Sequence, residues 1–162
     1  MTGKPLPGIV RSGGGAMQPE RVAALLRSVG WGRRPAEQIA PEMAASLCFG
    51  VFLPQPDGTE RQVGFARVVL DSAGAYHLCD VVIEEALRGR GLGTKLVQAV
   101  TGDQRLQGRF GTLETGDAHR FYERLGFERC GLERMHRRRT MRTPAENNER
   151  ERRCCICGRL NG

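Results

Sequence analysis

Apolar residues along this chain recur at two different spacings. From Pro19 onward, Val22, Leu25, Leu26 and Val29 fall three or four apart, the period of one helix face. Pro19 suits the first turn of that helix, and Gly30 and Gly32 end it. Pro35 opens a second helical piece. Pro41 should break it near Ala40, because an interior proline loses a hydrogen bond and crowds the preceding turn. A further turn then runs through EMAAS, residues 42–46. Ahead of both helices, GIVR (8–11) reads as a short first strand and SGGGAM (12–17) as flexible.

The spacing then changes. SLCFGVFL (46–53), RQVGFARVVL (61–70) and AYHLCDVVI (75–83) are apolar-rich runs of strand length. The turn segments PQPDGTE and DSAG separate them, with Asp57-Gly58 as the strongest turn signal. Three strands on short turns make an antiparallel meander. LRGRGLG (87–93) leads into a helix with Leu92, Leu96, Val97 and Val100 on its apolar side. RFGTLET (109–115) is a further strand. A helical crossover precedes it, so it should run parallel to residues 75–83. Ala118, Phe121, Tyr122 and Leu125 mark a last helix. Asp117 is placed to cap its start and Gly126 to end it. FERCGLERM (127–135) closes as a strand. The expected fold is α/β, a mixed and mainly antiparallel sheet flanked by helices, with no internal repeat.

Composition narrows the class. A chain of 162 residues suits one domain plus tails. It has no apolar run near the ~20 residues of a membrane span, and its N-terminus lacks the apolar middle of a signal peptide. A cytoplasmic protein is expected. The six cysteines fit that reading. Cys48, Cys79 and Cys130 lie singly among apolar residues, as small buried thiols do, and Cys154, Cys155 and Cys157 crowd the C-terminal tail. Disulfides are not expected in such a compartment. The net charge of +7 invites a nucleic-acid reading, but its location weakens that. Residues 134–162 hold nine Arg against three Glu, whereas residues 1–133 hold 16 Lys and Arg against 15 Asp and Glu. The body is nearly neutral and the basicity belongs to a tail read as disordered. Nucleic acid is therefore unexpected as a partner except through that tail. RCCICG (153–158) has no second ligand pair, so no metal site is expected.

Candidate chemistry starts at LRGRGLG. A glycine-rich turn between strand and helix gathers unpaired backbone N–H groups at one point, with the helix dipole behind them. Arg88, Arg90 and Lys95 can add charge. The spacing fits neither the P-loop pattern nor the dinucleotide fingerprint. Arg88-Gly89-Arg90-Gly91-Leu92-Gly93 does match [RQ]-x-x-G-x-[GA], and Ala118, Tyr122, Gly126 and Phe127 match A-x-x-x-Y-x-x-x-G-F downstream. With these two motifs in order, residues 17–135 resemble the GNAT superfamily of acetyl-CoA-dependent N-acetyltransferases, closest to small bacterial members of unassigned substrate.

The resemblance implies a domain over residues 17–135, with residues 1–16 a flexible lead-in and residues 136–162 the tail. It implies acetyl-CoA as co-substrate, a splayed parallel strand pair, and pantetheine lying along Val81, Val82 and Ile83. The N–H groups of Arg90, Gly91, Leu92, Gly93 and Thr94 would hold the pyrophosphate, with Gly89 in the same turn and Arg88 at its edge. Tyr122 would be the general acid on the departing thiolate, though its place on an apolar helix face also suits a core aromatic. For the base, Asp80 and Glu84 rank above Glu114. His77 reads as structural, and His119 leans to solvent. Thr115 stands where many members carry Asn, which leaves alignment of the acetyl group less defined. The acceptor would meet Trp31, Arg33 and Arg34. Its class is a primary amine on a small molecule or protein, and a homodimer is left open. The competing reading is a non-catalytic acyl-CoA-binding module whose basic tail meets an acidic partner.

Overall fold

The computed structural model describes residues 4–32, 34–131 and 133–137. Its centre is a seven-stranded sheet in the order β1-β2-β3-β4-β5-β7-β6. The strands are β1 (Ile9–Ser12), β2 (Leu47–Pro54), β3 (Glu60–Leu70), β4 (Tyr76–Ile83), β5 (Gly111–Glu114), β6 (Glu128–Arg129) and β7 (Arg134–Arg137). Every pairing is antiparallel except β4 with β5. The helices are α1 (Pro19–Ser28), α2 (Ala36–Ala44), α3 (Leu92–Gly102) and α4 (His119–Glu123).

Strand alternation divides the core in two. Successive side chains point to opposite faces, so Phe49, Ala66 and Ile83 pack with the α3 residues Leu92, Leu96, Val97 and Val100. Their neighbours Cys48, Phe65 and Val82 pack with Val22, Leu25 and Leu26 of α1 and Ile39 and Met43 of α2. The four apolar positions expected on α3 are its four buried ones. The start of α1 is tied to β3 through a reciprocal pair. Gln62, fully buried, accepts from the Gln18 backbone N–H at 2.8 Å, and its own N–H donates to the Gln18 side chain at 3.0 Å.

Five expectations are corrected. Pro41 does not break α2. Burial of Ile39 and Met43 on the inner face outweighs one lost backbone bond, and Pro41 itself is exposed. FERCGLERM is not one strand. Gly131, at φ 101, turns the chain so that β7 folds back between β5 and β6. The tail therefore does not begin at 136, since His136 and Arg137 belong to β7; residues 138–162 lie outside those described. Asp117 does not cap α4: the Thr115 hydroxyl accepts from the Ala118 N–H at 3.1 Å instead. Cys130 is not a free thiol but half of a disulfide. Gly126 does end α4 in the left-handed region, at φ 88, and β1 forms as expected, on the edge of the sheet against β2.

Candidate active site

The parallel pair is short. Tyr76 pairs with Gly111 and His77 with Thr112, and no further β4–β5 register exists. From Leu78 to Ile83 the edge of β4 that faces β5 therefore has no strand beside it among the described residues. A cavity of about 540 Å³ opens there, lined by Leu78–Ile83 on one wall and by Glu114–Ala118 and Tyr122 on the other. That volume suits a small-molecule site.

A bulge shapes the β4 wall. Phe65 pairs with Val82 and Arg67 with Cys79, so β4 spends two residues where β3 spends one. Asp80, within the bulge, has φ 55, a conformation uncommon outside glycine and typical of functional sites when it occurs. The bulge brings Asp80 to the cavity lining and onto Arg67, whose Nε donates to Oδ2 at 2.7 Å. Beside it the Cys79 thiol is pushed up to about 11, chiefly by burial, with Arg67 pulling the other way.

The glycine loop is built from backbone donors. Gly89 and Gly91 have φ 70 and 81, and Gly91 caps the start of α3. The first intrahelical donor is the Lys95 N–H, bound to the Gly91 carbonyl. From Gly89 through Thr94, no backbone N–H donates to another backbone group among the described residues. A Cβ added at Gly91 would meet nothing within 4 Å, whereas one at Gly93 would touch Phe121 and Ile83. Unpaired donors at the start of a helix favour an anion, and a coenzyme A pyrophosphate fits that chemistry. Arg88 sits between loop and cavity; its Nε donates to the Ile83 carbonyl at 3.1 Å. Two other cations expected at the loop are engaged elsewhere. Arg90 Nε donates to the Lys4 carbonyl at 3.2 Å and Lys95 Nζ to the Gly8 carbonyl at 2.9 Å.

Tyr122 lines the cavity from α4 and is 7 % exposed. Its ring meets Phe121 and Phe127 edge to face, so packing fixes the ring while the hydroxyl hydrogen-bonds nothing among the described residues. Burial, assisted by the Asp117 charge, pushes the phenol up to about 12. It is protonated at neutral pH and can donate. Of the three candidate bases, Asp80 and Glu114 line the cavity. Glu84 is not among its lining residues. Its Oε2 accepts from Arg21 at 2.8 Å and Arg61 at 2.7 Å, joining α1 and β3 to the end of β4. His77 bonds the Thr112 hydroxyl at 2.9 Å, a cross-strand contact. Trp31, 49 % exposed, lines the cavity mouth together with Val29. Arg33 lies outside the described residues, and Arg34 pairs with Glu42 of α2.

Two lining carboxylates, Asp117 and Glu133, were not singled out as site residues in the sequence. Both sit in turns, where no periodicity marks a residue. Their proximity depends on β7 folding back, which a single-strand reading of residues 127–135 hides. The Thr115 N–H donates to the Glu133 carbonyl at 2.7 Å, closing the wall. Among the described residues no group of three or more His, Cys, Asp or Glu could hold a metal ion, and no helix is long and apolar enough to cross a membrane.

This geometry has known counterparts. A family model of the GNAT acetyltransferase domain matches residues 53–129. A solved structure from Xanthomonas campestris pv. campestris, assigned to the GNAT family, is 34 % identical. It aligns over 78 % of this chain and 87 % of that one, with a TM-score of 0.63. The histone acetyltransferase TAP1 of Glycine max is 30 % identical over 74 % of this chain and 56 % of its own. An uncharacterized N-acetyltransferase, ycf52, of Porphyra purpurea is 33 % identical over 64 % of this chain and 60 % of its own. The chain thus spans somewhat over half the length of these curated relatives. The fold, the strand split and these likenesses agree: the chain belongs to the GNAT family of acyltransferases.

Proposed function

We propose that the chain transfers an acetyl group from acetyl-CoA to a primary amine. The observation that carries this is the row of unengaged backbone donors from Gly89 to Thr94, beside a split strand edge that ends at Tyr122. The pyrophosphate lies against those donors, with Arg88 at its edge. Pantetheine runs along the open edge of Val81, Val82 and Ile83, taking the place of a strand. That use of main chain asks little of the side chains there.

Attack by the neutral amine on the thioester carbonyl forms the C–N bond and breaks the C–S bond. The departing thiolate takes a hydrogen bond, and then a proton, from Tyr122. The amine must lose protons to attack and to finish as an amide. Asp80 accepts one of them directly or through water and passes it to solvent, held in place by Arg67, and the other restores the Tyr122 phenol. Glu84, gripped by two arginines outside the cavity lining, anchors the end of β4 rather than taking that proton.

The test combines binding and turnover. Acetyl-CoA should raise the melting temperature, and a panel of amines should release free CoA. Stabilisation without CoA release on any amine would support the binding-module reading instead. No thermal shift with acetyl-CoA would remove both.

A further inference from the structure

We infer that the acceptor is an alkylamine carrying a second positive charge a few bonds from the nitrogen that is acetylated, as in a linear diamine. The inference rests on the acetyltransferase reading above. The described lining of the cavity holds four carboxylates, Asp80, Glu114, Asp117 and Glu133, against one guanidinium, Arg88. Asp80 is matched by Arg67 at 2.7 Å and Glu114 by Arg134 at 3.2 Å. Asp117 and Glu133 form no ion pair with any described residue. Arg88 belongs to the phosphate end, where it bonds the Ile83 carbonyl. Among the described residues, the acceptor side of the cavity therefore carries two carboxylates with no ion-pair partner.

The two free carboxylates share one rim. Glu133 stands in the turn between β6 and β7, and its carbonyl is bound by the Thr115 N–H. Asp117 lies two residues beyond Thr115, close enough to Tyr122 to act on its phenol. The reacting end is marked independently by Tyr122, buried but for 7 % of its surface and lining the cavity with no hydrogen-bond partner among the described residues. At the mouth, the exposed face of Trp31 is a surface that attracts cations.

Charge accounting selects the ligand. A monoamine must become neutral to attack, and it then leaves both carboxylates without a counter-charge at the reacting stage. A second ammonium on the same molecule, with an ordinary alkylamine pKa near ~10, keeps its charge throughout. It can sit against Asp117, Glu133 and the Trp31 face while the first nitrogen reacts. An acceptor that carries a carboxylate would be repelled by the same rim.

The experiment uses the full chain at saturating acetyl-CoA. CoA release is followed with diaminobutane, butylamine, glycine and a short peptide whose lysine is flanked by arginines. Diaminobutane should exceed butylamine in kcat/KM by about tenfold, glycine should be poorest, and the advantage should shrink with added salt. In the double variant Asp117→Asn, Glu133→Gln the diamine-to-monoamine ratio should fall toward one, with folding verified by the acetyl-CoA melting shift. Butylamine or glycine matching the diamine, or a ratio unchanged in the double variant, overturns the inference and leaves the acetyltransferase reading standing. CoA release with none of the amines removes both. A peptide that outperforms diaminobutane also overturns the inference, since its flanking guanidinium groups lie many bonds from the lysine nitrogen.

Discussion

Tyr122 owes its properties to two neighbours of different kind. Phe121 and Phe127 fix the ring, and burial with the Asp117 charge lifts the phenol to about 12. Replacing it by Phe keeps the packing and removes the donor. Tyr122→Phe should lower kcat by roughly 10²-fold or more, the usual worth of a positioned acid, while acetyl-CoA affinity stays within about twofold. Calorimetric binding alongside steady-state turnover checks this, and unchanged turnover would remove Tyr122 from the acid role. Its pH linkage has a definite sign. The folded-state value lies above the ordinary value near 10.0, so the protonated phenol is favoured by folding. That stabilisation is complete below about pH 10 and is lost as pH rises toward about 12. Urea unfolding should therefore weaken more steeply over that interval in the parent than in the Phe variant. Tyr122 was legible from its place in a motif. Asp117 and Glu133 were not, since a carboxylate in a turn has no sequence pattern to mark it as facing a cavity.

Two glycines illustrate how elements set the cost of a side chain. Gly91, the cap of α3, needs its left-handed φ of 81 but faces open space. Gly111 of β5 has no such conformation, yet a Cβ there would overlap the ring and hydroxyl of Tyr76. Gly91→Ala should cost about 1 kcal/mol through the backbone alone and weaken acetyl-CoA binding, because the strained cap belongs to the proposed donor row. Gly111→Ala should cost about 1–3 kcal/mol by overpacking, with cofactor affinity nearly preserved. Thermal melts with and without acetyl-CoA separate the two; equal losses of affinity would show that the donor row does not meet the cofactor. At this scale the sequence was most readable where periodicity is strong. α3 buries the four residues its spacing announced. It was least readable where one residue reverses a pattern, as Gly131 does between β6 and β7, or where burial on both sides of a proline keeps a helix whole, as in α2. The β4 bulge was only half legible: a charged Asp80 in an apolar strand signalled an irregularity, but its φ and its Arg67 partner depend on the neighbouring strand.

Across the molecule, the sheet joins its two halves through a single short parallel contact of Tyr76 and His77 with Gly111 and Thr112. The split that makes the site also thins the connection, and β7 compensates by pairing with both β5 and β6. Truncation after Arg137 should leave a cooperative melt and CoA release intact. Truncation after Glu133 removes β7 and should abolish CoA release and shift or broaden the melt. Loss of folding in the longer truncation would show that residues beyond 137 support the domain. The position of β7 also orders events during synthesis. Strands β1 to β4 and helix α3 can assemble as the chain leaves the ribosome, but β6 pairs, among the described residues, with β7 alone, and the wall bearing Glu133 closes only once that strand inserts. At roughly 5–20 residues per second, the nascent chain passes through a stage with its glycine loop formed and the cavity wall that bears Glu133 missing. The cavity is complete in one step, with the insertion of β7.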